Sequence, residues 1–156
     1  MFGLFKSEPF ADEALGTFTR HGQYWLGTVS LPLHGPLELR LCGDRKGPDA
    51  TALSLARELP SRYLSYKNEI ENALYEHFVP CAEANSRGDL AEMVEPFPQV
   101  TSAEQVWPHV RPEHVLIEPM QGTPTVEVAY RVGWDEEHTV GARLQGWRFL
   151  ELCGSV

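Results

Sequence analysis

Along the chain the spacing of apolar positions changes from about two to about three or four and back to about two, which predicts strands, then helices, then strands. Residues 15–20, 24–33 and 37–42 are runs of strand formers. The last alternates strictly, with Leu37, Leu39 and Leu41 on one face and Glu38 and Arg40 on the other, so one face belongs on a core. His21-Gly22 and His34-Gly35-Pro36 supply turns between the runs. The economical reading is a three-stranded antiparallel meander.

In the middle of the chain, Asp49 follows Pro48 and predicts a cap for a short helix reaching Leu59. Pro60 then interrupts the backbone ladder and is placed to open a second helix over residues 61–79. On it Tyr63, Ile70, Leu74, His77 and Phe78 share a face, while Glu69, Glu71 and Glu76 fall largely elsewhere. Pro80 ends or kinks that helix, with a further turn or two toward Asn85 before Gly88, and Pro96-Phe97-Pro98 is a turn. Thr101-Ser102-Ala103-Glu104 has capping-box spacing and predicts a third short helix, with Val106, Trp107 and Val110 pointing inward. Strands follow over residues 115–118, 125–133, 139–145 and 147–153. In the second of these Val126, Val128, Tyr130 and Val132 share one face and Glu127 and Arg131 the other. The sum is a single α+β domain over residues 1–156: N-terminal antiparallel strands, central helices and C-terminal antiparallel strands, with the helices packed on the sheet.

Composition narrows the function classes. Thirteen Lys and Arg against 22 Asp and Glu leave a formal charge of −9, the wrong sign for neutralising phosphates, so no nucleic acid is expected as a partner. The excess of acid lies in residues 60–100, with 3 basic and 7 acidic side chains, and in 101–156, with 4 and 8. No run approaches the ~18 apolar residues of a membrane span. The first ten residues carry Lys6, Glu8 and Pro9 where a secretory signal needs an unbroken apolar stretch. A cytoplasmic protein is expected, with Cys42, Cys81 and Cys153 as reduced, partly buried thiols.

One segment stands out chemically: Trp134, Asp135, Glu136, Glu137 and His138, followed by Gly141. Together with Leu15-Gly16 and Trp25-Leu26-Gly27 near the start, this W-D-x-E-H-x-x-G pattern resembles an uncharacterised bacterial family of domains of unknown function. Some relatives of that family resemble immunity proteins of polymorphic toxin systems. The resemblance implies binding rather than catalysis and carries over no catalytic residues.

Read from the residues, the segment is first a structural turn. Gly133 permits an unusual backbone angle, Trp134 plugs the sheet edge, Asp135 accepts amide hydrogens two residues on, and His138 donates to a nearby carboxylate or carbonyl. The alternative is a small metal-dependent hydrolase built on Asp135, Glu137 and His138, with further ligands from His109, His114 or elsewhere. Extended geometry opposes it, since Asp135 and Glu137 then face away from His138. The chain has no GxSxG elbow, no phosphate-cradling glycine loop and no cysteine with an evident base, and nothing in it requires a cofactor. His77 on an apolar helix face reads as a hydrogen-bonded core residue, and Trp25, Trp107, Trp134 and Trp147 as core plugs. The functional expectation is a non-enzymatic binding protein, of the immunity-inhibitor type, that presents an acidic surface including Glu69, Glu71 and Glu76 to a basic protein partner.

Overall fold

Among the described residues eight strands form one sheet in sequence order, and every neighbouring pair is antiparallel except β4 with β5. The computed structural model describes residues 6–154 and Val156; residues 1–5, half of the segment read above for a secretory signal, lie outside the described residues, as does Ser155. The strands are β1 (Phe10–Asp12), β2 (Gly16–His21), β3 (Tyr24–Leu31), β4 (Gly35–Cys42), β5 (Val110–Met120), β6 (Thr123–Val132), β7 (Asp135–Gln145) and β8 (Arg148–Gly154). Between β4 and β5 the chain leaves the sheet for α1 (Ala50–Arg62), a 3-10 turn (Tyr63–Tyr66), α2 (Lys67–Arg87) and a second 3-10 turn (Ala103–His109). That helical excursion allows β5 to return beside β4 in parallel, because a parallel pair cannot be closed by a tight turn.

The expected α+β arrangement is therefore present, with differences that have local causes. The 24–33 run stops at Leu31, because Leu33 takes a left-handed φ of 73° in the turn before β4. Asp49 caps α1, its carboxylate accepting from the Ala52 amide at 2.9 Å. Pro60, expected to start a second helix, lies inside α1, and the break comes later, where Tyr63 and Tyr66 are both buried in the tighter turn. Helix α2 likewise continues past Pro80 to Arg87, and Gly88 ends it at φ 73° with its N–H reaching the Ala84 and Asn85 carbonyls. The expected capping box does not close, since Ser102 precedes the turn and the Gln105 side chain instead accepts from the amide and hydroxyl of Thr101.

The register puts the apolar alternation on one face. Trp25 lies opposite Leu41 and Val29 opposite Leu37, Leu39 and Leu41 lie beside Val115 and Ile117, and Val128 pairs with Val115 and Ala142. Helix α1 packs over β3 to β6, and α2 reaches β8 and the second 3-10 turn. Trp25 and Trp134 are buried plugs, whereas Trp107 and Trp147 are half-buried and help to seal the margin. Cys42, Cys81 and Cys153 are free and half-buried. Among the described residues no helix is long and apolar enough to cross a membrane.

On the opposite face Glu127 departs from the simple alternation. It points away from the apolar core as expected, yet it is only 5% exposed. Arg143, its cross-strand neighbour, donates to it at 2.7 Å and to Glu151 at 3.0 Å. Gly141 makes this possible, because a Cβ there would come within 2.9 Å of the Glu127 side chain. The last glycine of the W-D-x-E-H-x-x-G pattern is thus accounted for by the buried Glu127 side chain of the neighbouring strand, which pairs with Arg143 on the glycine's own strand.

Candidate binding site

The β6–β7 connection is a hairpin with an inserted bulge. Arg131 pairs with Thr139 but the next residue, Val132, pairs with Asp135, so Glu136, Glu137 and His138 loop out of the ladder. Gly133 contributes by close approach and not by the unusual backbone angle expected of it. Its φ is outside the positive region, its N–H donates to the His109 carbonyl at 2.8 Å, and a Cβ would stand 3.3 Å from that same oxygen.

Trp134, Asp135 and Glu136 each have a distinct task. Trp134 is 2% exposed, meets Phe78 edge-on with ring centroids 5.3 Å apart, and donates its indole N–H to His77 Nδ1 at 3.0 Å. An indole N–H can only donate, so His77 Nδ1 carries no proton and the neutral ring holds its hydrogen on Nε2. Asp135 closes the bulge: one carboxylate oxygen accepts from the Glu137 and His138 amides, both at 3.2 Å, and lies 3.0 Å from His138 Nδ1. Glu136 reaches across the chain, its two oxygens accepting from the Val94 and Glu95 amides at 3.1 Å each. The segment between α2 and the second 3-10 turn is thereby tied to the bulge. A cleft of about 270 Å³ lies between them, with Cys81, Leu90, Met93 and Trp134 in its wall.

Glu92, Asp135, Glu136 and Glu137 line this cleft, and further acidic side chains are exposed along α2. Glu69, Glu76 and Glu83 recur every seven residues on α2 and are exposed, and beyond the helix Glu92 and Glu95 are exposed as well, as is Glu137 on the bulge. None of these six side chains has an ion-pair partner among the described residues. Beside Glu95 stands Val94, 89% exposed. Glu71 does not belong to this surface, contrary to the expectation that grouped it with Glu69 and Glu76. It is 9% exposed, and one oxygen accepts from Lys67 at 3.1 Å and from the Trp107 indole at 2.7 Å, pinning the second 3-10 turn to α2. The Lys67-to-Glu71 spacing of four was the available signal for this pairing.

Among the described residues no three His, Cys, Asp or Glu side chains gather as a metal would require. Glu137 is exposed, and Asp135 is occupied by two amides and the His138 ring. His114 sits on β5 opposite Ala129, on the sheet face turned from the helices. The ligand set of the hydrolase alternative is therefore not brought together.

Two predictions follow from this geometry. Asp135→Ala is expected to lower stability by about 1 kcal/mol through the lost amide bonds. His138→Ala should lower it by less than about 0.5 kcal/mol, because its half-exposed ring adds only a solvent-screened contact. Urea denaturation of the two variants checks the order. The second prediction concerns pH. Burial pushes the imidazoles of His34, His77 and His114 below their usual 6.5. The unfolded chain therefore binds more protons than the folded one as pH falls below 6.5, and stability declines in that direction. A separate loss comes below 3.8, where the Asp12 carboxyl, held low chiefly by its hydrogen bond from Arg57, is protonated. Urea midpoints from slightly alkaline pH down to about pH 5 should fall, and His77→Gln should flatten part of the slope.

Taken together, fold and site define a small α+β domain that displays an acidic, partly apolar junction. The chain belongs to the family Domain of unknown function (DUF6985), whose model matches residues 14–155 and so spans strands β2 to β8 and the bulge. Comparison with curated proteins found no match, and comparison with solved structures found none.

Proposed function

We propose that this chain is a non-enzymatic, cytoplasmic binding protein, an inhibitor of the immunity type, whose acidic junction seats a basic protein partner. The observation that carries the reading is a set of exposed carboxylates without an ion-pair partner among the described residues: Glu95 beside the exposed Val94, Glu92 and Glu137 in the adjoining cleft, and Glu69, Glu76 and Glu83 along α2. Unpaired surface acids steer a basic partner into place and reject acidic ones. An apolar side chain among them supplies the desolvated contact that charge alone lacks. Glu136 supports the reading by holding the Val94 and Glu95 backbone, which lowers the ordering entropy lost on docking. The bacterial toxin–immunity context comes from the resemblance of the W-D-x-E-H-x-x-G segment.

Co-purification from the source organism across a salt series tests the proposal. A basic protein retained at low salt and released as salt rises supports it. If no partner is retained at any ionic strength, the proposal fails.

A further inference from the structure

A second cavity, of about 470 Å³, lies where the β3–β4 turn meets the 3-10 turn between the helices and the start of β5. Its walls include Leu33, Trp107, Val110 and Pro112, and its polar lining includes His34, Tyr63 and Lys67. Leu33 is 74% exposed and holds a left-handed φ of 73°, a strained setting for a leucine that places an apolar side chain beside the cavity. In a chain of net charge −9, this cavity is lined by Arg111 and by Lys67, which also donates to Glu71 at 3.1 Å just outside the lining, and by no carboxylate.

A hydrogen-bonded chain fixes which proton the cavity is offered. His34 Nε2 lies 2.8 Å from the Tyr63 hydroxyl, which lies 2.7 Å from the Tyr130 hydroxyl. Tyr130 is 0% exposed, and Tyr63 is its only hydroxyl partner among the described residues. A buried O–H must donate, so Tyr130 donates to Tyr63, Tyr63 donates to His34 Nε2, and the imidazole proton sits on Nδ1. Reversing the chain would leave the Tyr130 O–H facing apolar neighbours. Nδ1 has no protein partner among the described residues, so its N–H is available to a ligand acceptor. Burial favours the neutral forms that this chain requires, pushing Tyr63 up to about 12 and His34 below its usual value. Beside it the Trp107 ring stands 5.9 Å from the His34 ring and 5.7 Å from the Lys67 ammonium.

We propose that this cavity binds a small aromatic carboxylate, with its ring against Trp107 and its carboxylate accepting from His34 Nδ1 and Lys67. The volume suits one or two fused rings. This is independent of the acidic junction.

Long-range proton–nitrogen NMR of the histidine rings, with titrations of indole-3-acetate, benzoate, acetate and benzylamine, tests it. The free protein is expected to show His34 as the Nδ1–H tautomer. Indole-3-acetate and benzoate should shift the His34 and Trp107 signals saturably, at least tenfold more tightly than acetate or benzylamine. Leu33→Glu, a change at an exposed turn residue whose fold is checked by its unchanged melt, should weaken both by at least tenfold by setting an acid beside the bound carboxylate. The proposal is overturned by an Nε2–H tautomer, by no shift at millimolar indole-3-acetate, by benzylamine binding as well as benzoate, or by unaltered binding to a folded Leu33→Glu.

Discussion

Trp134→Ala is expected to be among the most damaging single changes, lowering stability by about 3 to 5 kcal/mol in urea denaturation, the range for removing a large buried ring. The ring is 2% exposed, stands edge-on to Phe78, and carries the indole N–H bonded to His77. Trp134→Phe separates these contributions. It retains most of the apolar volume but deprives His77 of its donor, and an intermediate loss of about 1 to 3 kcal/mol is expected. A loss below about 1 kcal/mol for Trp134→Ala would mean that the bulge is not anchored through this residue.

Arg143→Leu is the second large effect, with an expected loss of about 3 to 5 kcal/mol. Arg143 is the cation facing Glu127, whose side chain is 6% exposed, and removing it leaves a carboxylate buried beside the Cys153 thiol. That thiol is pushed up, first by burial and then by the Glu127 charge, so it stays protonated and offers only a weak S–H donor and no positive charge in place of the guanidinium. The double variant Glu127→Leu/Arg143→Leu should regain much of the loss, because a well-packed apolar pair replaces a desolvated ionic one at little net cost. Equal losses in single and double variants would show that packing, and not the stranded charge, sets the effect.

Much of the sheet was legible because its cause is local. Leu37, Leu39 and Leu41 alternate, and Val126 to Val132 do the same, so β4 and the inward face of β6 could be read from spacing alone. Strand β1 has only three residues, too short for a period to appear. Strand β5 extends well beyond the predicted residues 115–118 because its ends, which contain Pro112 and Pro119, pair by backbone with β6 whatever their side chains. The parallel join of β4 to β5 depends on contacts across the whole helical excursion, which no local pattern encodes.

The same division holds at the site. The Asp135 turn is a bond to amides two and three residues on, and short-range chemistry predicts it. Glu136 bonds to backbone amides more than forty residues away, and since any residue presents an amide, no sequence signal marks the partner. Glu71 turned inward because the Trp107 indole arrives from another element and makes its burial affordable. His34, Tyr63 and Tyr130 lie on three different elements, so their hydrogen-bonded chain exists only once the sheet and helices have packed.

Partner capture by a charge-reversed site tests the central claim most directly. The triple variant Glu92→Lys/Glu95→Lys/Glu137→Lys alters exposed side chains around Val94, while Glu8→Lys/Glu13→Lys/Glu104→Lys makes the same change in net charge at exposed positions elsewhere. With lysate of the source organism at low salt, the account predicts that the first variant loses the basic partner and the second retains it. Equal retention by both, or equal loss from both, would contradict a binding site at this junction.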